Sequence, residues 1–550
     1  MMRDLRSADP RMTQAAPEHD VVILGGGLAG LTLALQLQRR FAGLKVLVLE
    51  RRAHPVPAAC HKVGESSVEI GAHYFEHVLG LGEHLRGQQL RKFGFRFFFS
   101  EGRHDIENVT ELGASRPLPV PSYQIDRGLF ENFLGQRVQE AGATFVDQAL
   151  IRGVEIGEPH TVTWQRPGQE PQTTTARWVV DASGRAGLLK RKFGLAQENA
   201  HAAHAVWFRI KGKIEIDRWS TDPAWQARCA TPTRWLSTNH LVGAGYWLWL
   251  IPLASGSHSV GIVADPRFHP IERMDTFDKA MDWLAEFQPA LFADLDPKRD
   301  QLQDFAFFRR FSYDCKQVFS EQRWALAGEA GRFLDPLYSP GSDFIAIGNT
   351  FITELIARDR AGLRLPAHVQ VYEQIFKSFY DSTLALYVDQ YGLFGDPEVL
   401  PMKVVWDYTY YWSVLSQLFF QGRMTDLASL GHLRDELLAC QRLNLAVQRF
   451  LRDWGTVSER RNPRQLLYQA SVPWFVELNR SLTDTLDEAA FRARIREATE
   501  RLKALALQLA ERARAEHPQL DASGIAIAVG ALPRPFEPML DFRAETAAAA

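Results

Sequence analysis

A glycine-rich turn between two short apolar runs limits the possible folds of this chain more than any other feature. The run Asp20–Leu24 leads into Gly25–Gly30 (GGGLAG), leucines at helical spacing follow, and a second apolar run ends at Glu50. Strand, glycine turn, helix and strand make the βαβ unit of dinucleotide-binding domains. The sequence therefore predicts an α/β fold that begins with a Rossmann-like domain.

Each glycine of this turn has its own expected role. Gly25 permits the tight turn, Gly27 lets a pyrophosphate approach the backbone, and Gly30 allows close packing of helix on strand. The helix N-terminus adds partial positive charge. Glu50 lies 20 residues beyond Gly30, where a ribose-binding carboxylate belongs. The predicted dinucleotide contacts are Gly25, Gly27, Leu28, Ala29, Gly30, Glu50 and Arg51.

Length, charge and cysteine usage exclude several classes of function. The chain has 550 residues and a formal net charge of −2, so it carries no global basic field for nucleic acid or an anionic membrane. Its 4 cysteines have no metal-binding spacing. No apolar run approaches the ~20 residues that span a bilayer, and the opening segment is too polar for a signal peptide. We therefore expect a cytoplasmic protein without a metal site, nucleic-acid partner or membrane contact.

The hydrophobic pattern changes along the chain. Apolar and aromatic segments of strand length, without helices between them, indicate an antiparallel sheet inserted into the nucleotide-binding module. The later part of the chain is helical in pattern. The predicted divisions are a flexible arm over 1–18, a module over 19–350 with inserted strands at about 90–130 and 200–315, a helical substrate-specific region over 351–540, and a flexible tail over 541–550.

Four motifs together resemble the FAD-binding fold of aromatic hydroxylases. They are Gly25–Gly30, Tyr123–Arg127 (YQIDR), Asp181–Gly184 (DASG) and Gly328–Gly331 (GEAG). The resemblance implies FAD as the dinucleotide, with Asp181 and Arg127 at the cofactor and Gly328 and Glu329 beside its ribityl phosphate chain. Glu329 replaces the usual aspartate. No second glycine motif marks a nicotinamide domain, so a separate flavin reductase is expected as a transient partner.

A more specific resemblance lies in Trp247–Pro252 (WLWLIP). This segment is similar to the W-x-W-x-I-P signature of the tryptophan-halogenase family of flavin-dependent halogenases. In a strand, the period of two puts Trp247, Trp249 and Ile251 on one face. The resemblance implies a wall, built by Trp247, Trp249 and Pro252, that keeps the organic substrate away from the flavin. On the spacing of the tryptophans alone, an aromatic core strand is the alternative.

Lys92 matches the lysine that delivers halogen in this family. It opens the K-x-G-x-x-F segment Lys92–Phe97, downstream of the Gly64-Glu65-Ser66 motif. The resemblance implies that Lys92 hydrogen-bonds hypohalous acid or forms a haloamine, and that Glu65 and Ser66 lie at the cofactor. An unperturbed lysine has a pKa of ~10.4, which burial would lower. A solvated lysine is the ordinary alternative.

The segment Leu334–Gly341 (LDPLYSPG) resembles the turn that halogenases place against halide and the flavin ring. Tyr338 stands where tryptophan halogenases carry a glutamate that acts as a base, which argues against free tryptophan as substrate. Pro340 replaces a residue whose backbone N–H helps to hold halide, and proline has none. The resemblance implies contacts by Asp335, Tyr338, Ser339, Gly341 and Ser342.

The resemblance covers about residues 19–350 and implies an FAD-dependent halogenase of secondary metabolism. Reduced FAD and O2 would form a flavin C4a-hydroperoxide, chloride or bromide would yield hypohalous acid, and Lys92 would present it to an electron-rich aromatic. A phenol or pyrrole, free or tethered to a carrier protein, is expected. Two alternatives stay open, a flavin monooxygenase that uses no halide and a catalytically silent flavoprotein scaffold. Aromatic residues around Trp406–Trp412 line a pocket or, as such stripes more often do, belong to the core.

Overall fold

The computed structural model describes residues 16–59, 62–100, 105–229, 231–532 and 534–542. The predicted arm over 1–18 and tail over 541–550 lie almost entirely outside the described residues. The strands are β1 (His19–Leu24), β2 (Val46–Leu49), β3 (Leu90–Arg91), β4 (Phe95–Phe99), β5 (Thr110–Gly113), β6 (Tyr123–Gln124), β7 (Thr144–Val146), β8 (Leu150–Glu155), β9 (His160–Gln165), β10 (Gln172–Asp181), β11 (Ala196–Gln197), β12 (His204–Lys211), β13 (Thr238–Gly243), β14 (Tyr246–Pro252), β15 (Ser257–Ala264), β16 (Leu302–Phe308), β17 (Asp314–Cys315), β18 (Trp324–Leu326) and β19 (Leu466–Tyr468).

The α-helices are α1 (Leu28–Arg40), α2 (Glu69–His73), α3 (Gly82–Gln88), α4 (Arg127–Glu140), α5 (Leu188–Lys192), α6 (Pro223–Ala227), α7 (Phe277–Phe287), α8 (Pro289–Leu295), α9 (Gly341–Arg360), α10 (Pro366–Leu384), α11 (Val399–Tyr410), α12 (Gln417–Phe420), α13 (Leu427–His432), α14 (Arg434–Val457), α15 (Pro473–Arg480), α16 (Glu488–Glu516) and α17 (Ser523–Val529). Two short π-helical segments, Tyr74–Val78 and Tyr411–Ser416, continue from α2 and α11. None of the helices in the described ranges is long and apolar enough to cross a membrane.

The first sheet carries the predicted βαβ unit. Its order is β7-β2-β1-β10-β9-β8, with β18 beside the C-terminal half of β10. The pairs among β7, β2, β1, β10 and β18 are parallel, whereas β8 and β9 form an antiparallel extension. All four residues of β2 are buried, as a parallel strand with both faces covered requires. The glycine turn therefore opens at the carboxyl edge of this sheet.

The second sheet is mixed rather than purely antiparallel. Its order is β16-β12-β15-β14-β13-β4-β5-β19, and the pairs β4–β13 and β5–β19 are parallel. The segment that opens at Lys92 is a strand only from Phe95 onward, because Gly94 has φ +76° and turns the chain ahead of Phe95. Likewise β16 ends at Phe308, shortly before Arg310 with φ +44°. Lys92 therefore lies in a turn ahead of the strand.

The C-terminal part is mostly helical, as expected, but it also completes the second sheet. β19 lies within the region predicted to be helical and pairs with β5. The longest helix of this part, α16, begins at Glu488 after a cap in which Asp487 accepts from the Ala490 N–H at 2.8 Å. The C-terminal region thus packs into the core of the module that precedes it.

Candidate active site

A cavity of about 520 Å³ lies where the carboxyl ends of β1 and β2 approach the indole rings of the second sheet. Ligands of open α/β sheets bind at this edge. Most of the predicted cofactor contacts line it, namely Gly25, Gly27, Leu28, Ala29, Glu50, Arg51, Glu65, Ser66, Arg127, Gly328, Glu329, Asp335, Gly341 and Ser342. Gly30 and Asp181 are buried and do not line it.

The glycine turn has the shape that a pyrophosphate requires. A Cβ atom on Gly25, whose φ is +120°, would lie 2.4 Å from the Ala182 carbonyl oxygen. On Gly30 it would lie 2.0 Å from the Gly25 carbonyl oxygen, so both positions exclude a side chain. On Gly27 it would meet no described atom within 4 Å. Gly27 caps α1 and lines the cavity, so the turn and the helix N-terminus fit FAD.

Two charged residues are fixed at the wall of this cavity. Glu50 accepts the Gly26 N–H on Oε2 at 2.7 Å and the Arg52 N–H on Oε1 at 2.8 Å. Its carboxylate thereby lies beside the glycine turn, where it can reach a ribose hydroxyl. Arg127 pairs at 2.5 Å with Glu131, which is buried, one turn further along α4. The guanidinium is therefore oriented before any ligand binds. We call this space the FAD cavity.

Asp181 and Glu65, two acidic residues predicted to contact the cofactor, accept hydrogen bonds from protein groups around the cavity. Asp181 accepts from the Ser183 N–H at 3.0 Å and the Leu189 N–H at 2.7 Å, and so shapes a turn whose residues line the cavity. Glu65 accepts from Arg209 Nε at 2.7 Å, and burial raises its pKa. Asp181 thus shapes the wall of the cavity without lining the cavity itself.

The predicted tryptophan wall faces the FAD cavity. Trp247, Trp249 and Ile251 of β14 all line it, as the period of a strand requires. Gly261 on the neighbouring strand makes room, because a Cβ atom there would lie 2.0 Å from the ring of Trp249. Pro252, which was predicted to belong to this wall, ends the strand and does not line the cavity. Two indoles therefore form the apolar side of the cavity.

A buried hydrogen-bond network joins this wall to the turn that follows β18. Trp247 Nε1 donates to the Tyr391 hydroxyl at 2.9 Å, and that hydroxyl donates to Asp335 Oδ2 at 2.5 Å. His201 Nε2 contacts the same oxygen at 2.6 Å, and Leu337 N–H donates to Oδ1 at 2.9 Å. Burial raises the pKa of Tyr391 well above its usual value, so the hydroxyl stays a donor. Asp335 thus lines the cavity and orients its wall.

The turn ahead of α9 directs two neighbouring side chains to opposite sides. Tyr338 and Ser339 have φ of +66° and +54°, which is rare for residues other than glycine and costs of order 1–3 kcal/mol. Ser339 lines the FAD cavity, while Tyr338 faces away from it. Pro340 occupies the position before the helix and has no N–H. The backbone N–H groups of Gly341 and Ser342 can still donate, because the first turn of a helix has no acceptors for them within the helix. An anion can therefore still bind at this end of α9.

A second pocket of about 70 Å³ lies on the other side of that turn. Pro340 and Phe344 line both this pocket and the FAD cavity, so they belong to the partition. We call it the aromatic pocket, because the rings around it are those of Phe95, Tyr338, Phe344, Tyr387, Tyr408, Tyr410 and Tyr411. Three carboxylates also face it, those of Glu69, Asp343 and Asp407.

Lys92 lies between the two spaces. Its Nζ donates to Ser66 Oγ at 2.9 Å and to the Ser67 carbonyl at 2.7 Å. The same Nζ lies 3.8 Å from the centre of the Phe95 ring. Ser66 lines the FAD cavity and Phe95 lines the aromatic pocket. Only 2% of Lys92 is exposed, so the cation is enclosed at the boundary between them.

The charges around Lys92 oppose one another. Burial lowers the pKa of Lys92 to about 7, although the Glu69 and Asp343 carboxylates favour its charged form. Burial in turn raises the pKa of Asp343 to about 8 and also raises that of Glu69. The His240 ring lines the FAD cavity, and burial lowers its pKa to about 3, so it is neutral. The boundary therefore holds groups that can exchange protons near neutral pH.

Several of these residues were not predicted from the sequence. Glu69, Asp343, Asp407 and His240 lie outside the family motifs, and nothing in their spacing joins them. One signal was available, since Glu69 and Asp343 sit among apolar neighbours at helix starts, and unpaired acidic residues are seldom buried. Such positions can be marked as candidate site residues before the fold is known.

Comparison with known proteins agrees with this geometry. A family model described as "Tryptophan halogenase" matches residues 107–393, and one described as "NAD(P)-binding Rossmann-like domain" matches residues 23–87. "Flavin-dependent halogenase chlA" of Dictyostelium discoideum is 25% identical over 443 residues, covering 73% of this chain and 71% of that protein. A "1H-pyrrole-2-carbonyl-[peptidyl-carrier protein] chlorinase" of Pseudomonas fluorescens is 26% identical over 351 residues, covering 59% and 72%.

Solved structures show the same fold. The halogenase PltM in complex with phloroglucinol and FAD superposes with a TM-score of 0.63 at 17% identity, covering 89% of this chain and 97% of that chain. The flavin-dependent brominase Bmp2 gives a TM-score of 0.54 at 22% identity, covering 68% and 87%. The predicted α/β class with a Rossmann-like FAD-binding domain is thereby confirmed.

The family model spans more than half of the chain and includes the tryptophan wall and the turn ahead of α9. It confirms the resemblance read from Trp247–Pro252. It also favours halogenation over the alternative of a flavin monooxygenase that uses no halide. The chain therefore belongs to the tryptophan halogenase family, as an FAD-dependent oxidoreductase.

Proposed function

We propose that the protein halogenates a small electron-rich aromatic ring held in the aromatic pocket, with Lys92 presenting hypohalous acid to it. The observation that carries this proposal is the position of Lys92. Its Nζ hydrogen-bonds a residue of the FAD cavity and rests on a ring of the aromatic pocket. Hypohalous acid is reactive, and selective halogenation requires that it be held near one carbon.

Bound FAD, supplied reduced and used with O2, provides the oxidising power that converts chloride or bromide into hypohalous acid. Gly27 and the N-terminus of α1 would hold its pyrophosphate, Glu50 its ribose and Arg127 its flavin. The amides of Gly341 and Ser342, with the Ser339 hydroxyl near them, would hold halide at the start of α9.

Lys92 has two tasks in this scheme. Its ammonium donates a hydrogen bond to the oxygen of hypohalous acid and protonates that oxygen as the halogen leaves, so that water is released. Trp247 and Trp249 on one side, and Pro340 and Phe344 in the partition, keep the aromatic ring out of the FAD cavity. Halide, and not the organic substrate, therefore meets the oxidant.

The substrate and partners are part of the proposal. Tyr338 in place of a carboxylate favours a phenol or pyrrole, whose ring is already electron-rich. Two relatives named as pyrrole-carrier-protein halogenases support a substrate tethered to a carrier protein as a form to be tested beside the free ring. A separate flavin reductase would supply reduced FAD. The cytoplasmic location stays a prediction.

The test combines halide, substrate and electron supply. The enzyme with FAD, O2 and an unrelated flavin reductase is assayed on a phenol and a pyrrole, with chloride or bromide, by mass spectrometry. We expect halogenated product, and little flavin bleaching when NADH or NADPH is added without the reductase. A product that gains oxygen and needs no halide would establish the monooxygenase instead.

The variant Lys92→Met tests the delivery role of Lys92 in the same assay. It should lower product by about 100-fold or more, as loss of a proton donor usually does, while FAD stays bound and O2 is still consumed. Lys298→Met is the control, because Lys298 pairs with Asp294 and lines neither the FAD cavity nor the aromatic pocket. Lys62 is unsuitable as a control, since it lines the FAD cavity. Near-native product from Lys92→Met would refute the delivery role.

A further inference from the structure

Two of the three carboxylates that face the aromatic pocket are fully engaged by the protein. Asp343 receives the Tyr411 hydroxyl at 2.7 Å and a backbone N–H at 2.8 Å, one on each oxygen. Asp407 receives Lys403 Nζ at 2.8 Å and Gln448 Nε2 at 2.7 Å, again one on each oxygen. These two carboxylates have structural partners that hold them in place.

The third carboxylate, that of Glu69, is different. Its Oε1 accepts one long hydrogen bond from Asn479 Nδ2 at 3.3 Å. Its Oε2 is buried and makes no hydrogen bond of good geometry within the described residues; the Trp412 indole N–H, itself without a well-placed acceptor, and the Glu69 backbone N–H are the donors nearest to the carboxylate. Only 3% of Glu69 is exposed, and the residue lines the aromatic pocket. A weakly held carboxylate therefore borders the space where a ring would bind.

A buried carboxylate that receives only weak hydrogen bonds is costly, so a well-placed donor from a ligand would bind it favourably. Burial raises the pKa of Glu69, and the Lys92 ammonium nearby acts in the opposite direction. Asp343 and the hydroxyls of Tyr408 and Tyr411 also lie near the Glu69 carboxylate. A negative charge on Glu69 raises the pKa of each of these three groups. A neutral O–H donor from a ligand would give the carboxylate a stronger hydrogen bond without adding charge.

We propose that Glu69 is a catalytic residue that binds the hydroxyl group of a phenolic substrate and accepts its proton as the ring is halogenated. The inference rests on the proposed function, because Lys92 must supply the halogen. It also narrows the substrate class from electron-rich aromatics in general to rings that carry a hydroxyl group. Glu69 would thus provide, from α2, the carboxylate that Tyr338 does not provide from the turn ahead of α9.

Lys92 and Glu69 together donate and accept every proton that the reaction moves. As the carbon–halogen bond forms and the oxygen–halogen bond of hypohalous acid breaks, Lys92 protonates the leaving oxygen to give water and Glu69 takes the phenolic proton. The ring is then a halogenated dienone. Its ring proton leaves to the Lys92 amine, and Glu69 returns its proton to the oxygen. The phenol and hypohalous acid have become a halophenol and water, and both residues are restored.

The size of the pocket agrees with such a substrate. On a scale where one water needs about 10–15 Å³, a volume of about 70 Å³ holds roughly five waters, which is comparable to one substituted ring. The aromatic residues around it supply edges and faces against which a ring can pack. A single hydroxyl pointing at Glu69 would fix which ring carbon lies nearest to Lys92.

The first test needs no halogen chemistry. Para-nitrophenol is titrated into the FAD-loaded enzyme, and the absorbance of its phenolate form is followed. Glu69→Gln keeps the side-chain volume but removes the negative charge, so we expect weaker binding of the neutral phenol, by about tenfold or more, and a larger phenolate fraction in the bound dye. Glu69→Asp should restore part of the native response, and Glu321→Gln, on the surface, should match the native protein.

The second test is turnover. Glu69→Gln should slow halogenation of phenol by about 100-fold, and the native enzyme should be comparably slow on the methyl ether of phenol, which has no proton to give. Equal phenol turnover or an unchanged dye spectrum for a folded Glu69→Gln would overturn the role of Glu69. Absence of halogenated product from the native enzyme, with the dye response intact, would instead refute the proposed function.

Discussion

The FAD cavity and the aromatic pocket lie side by side, yet they are built in opposite ways. The cavity is formed by short motifs in which backbone geometry does the work, such as the turn at Gly25–Gly30. The pocket draws its walls from five distant parts of the chain, near Glu69, Phe95, Tyr338, Tyr387 and Tyr408. In the proposed function, general chemistry is thus carried by local structure, whereas substrate choice depends on long-range packing that local motifs do not describe.

Gly27→Val tests the first half of this comparison and has the largest expected effect. A Cβ atom there meets no described protein atom within 4 Å, so the protein should fold, but the methyl groups would occupy the approach of the pyrophosphate. We expect FAD affinity to fall by about 100-fold or more, measured by flavin fluorescence. Gly153→Val, at another open position, should bind FAD normally. Native affinity in a folded Gly27→Val would place the cofactor elsewhere.

The pH dependence of halogenation tests the boundary between the two regions. If Lys92 acts as an ammonium, its activity is present below its pKa of about 7 and is lost as pH rises, about tenfold per unit in the limit. Glu69 and Asp343 face the same group and stabilise the ammonium, while His240 is neutral throughout this range. A single-turnover rate that rises through pH 7 in both the native enzyme and Glu69→Gln would instead indicate a neutral amine and a haloamine.

Tyr391→Phe tests whether the tryptophan wall depends on the C-terminal part of the chain. The change removes the hydroxyl that links Trp247 Nε1 to Asp335 and leaves both buried groups short of a partner. We expect a loss of about 1–3 kcal/mol in the free energy of unfolding, measured by chemical denaturation. Phe394→Leu, in the same stretch but outside this network, separates lost hydrogen bonds from lost packing. Native stability in Tyr391→Phe would show that the wall stands without the network.

Pro340→Thr has the smallest expected effect and concerns the partition itself. Threonine restores an N–H ahead of α9 and is a favourable residue at the helix cap. The halide concentration for half-maximal halogenation should fall several-fold, measured at fixed FAD and phenol. The amides of Gly341 and Ser342 already favour an anion there, which is why a larger change is not expected. An unchanged halide dependence would show that halide binds away from this turn.

Sequence reasoning reached most of the FAD cavity. Gly25, Gly27 and Gly30 are recognisable because few backbone geometries allow a strand to turn directly into a helix around a phosphate. Trp247 and Trp249 are recognisable because a strand repeats every two residues. Each of these signals is contained in a few neighbouring residues, and the structure places all of them at or directly behind one cavity.

The aromatic pocket could not be reached in the same way. Glu69 and Asp407 are separated by more than 300 residues, and only the folded chain brings them to one space. Lys92 was identified as a candidate, but its lowered pKa depends on burial by segments that no motif connects. The expected helical region also hides β19, because three residues are too few for a periodic signal.

The pairing of β19 with β5 has a consequence for recombining this protein with its relatives. Asn479, shortly after β19, donates to Glu69 and accepts from the Val120 N–H at 2.9 Å. A chimera that exchanges only the segment around Tyr408 would thus take the edge of the sheet and the hydrogen-bond donor to Glu69 from the other parent. Transplanting substrate preference requires that the two segments, 399–420 and 466–482, move together as one inherited unit.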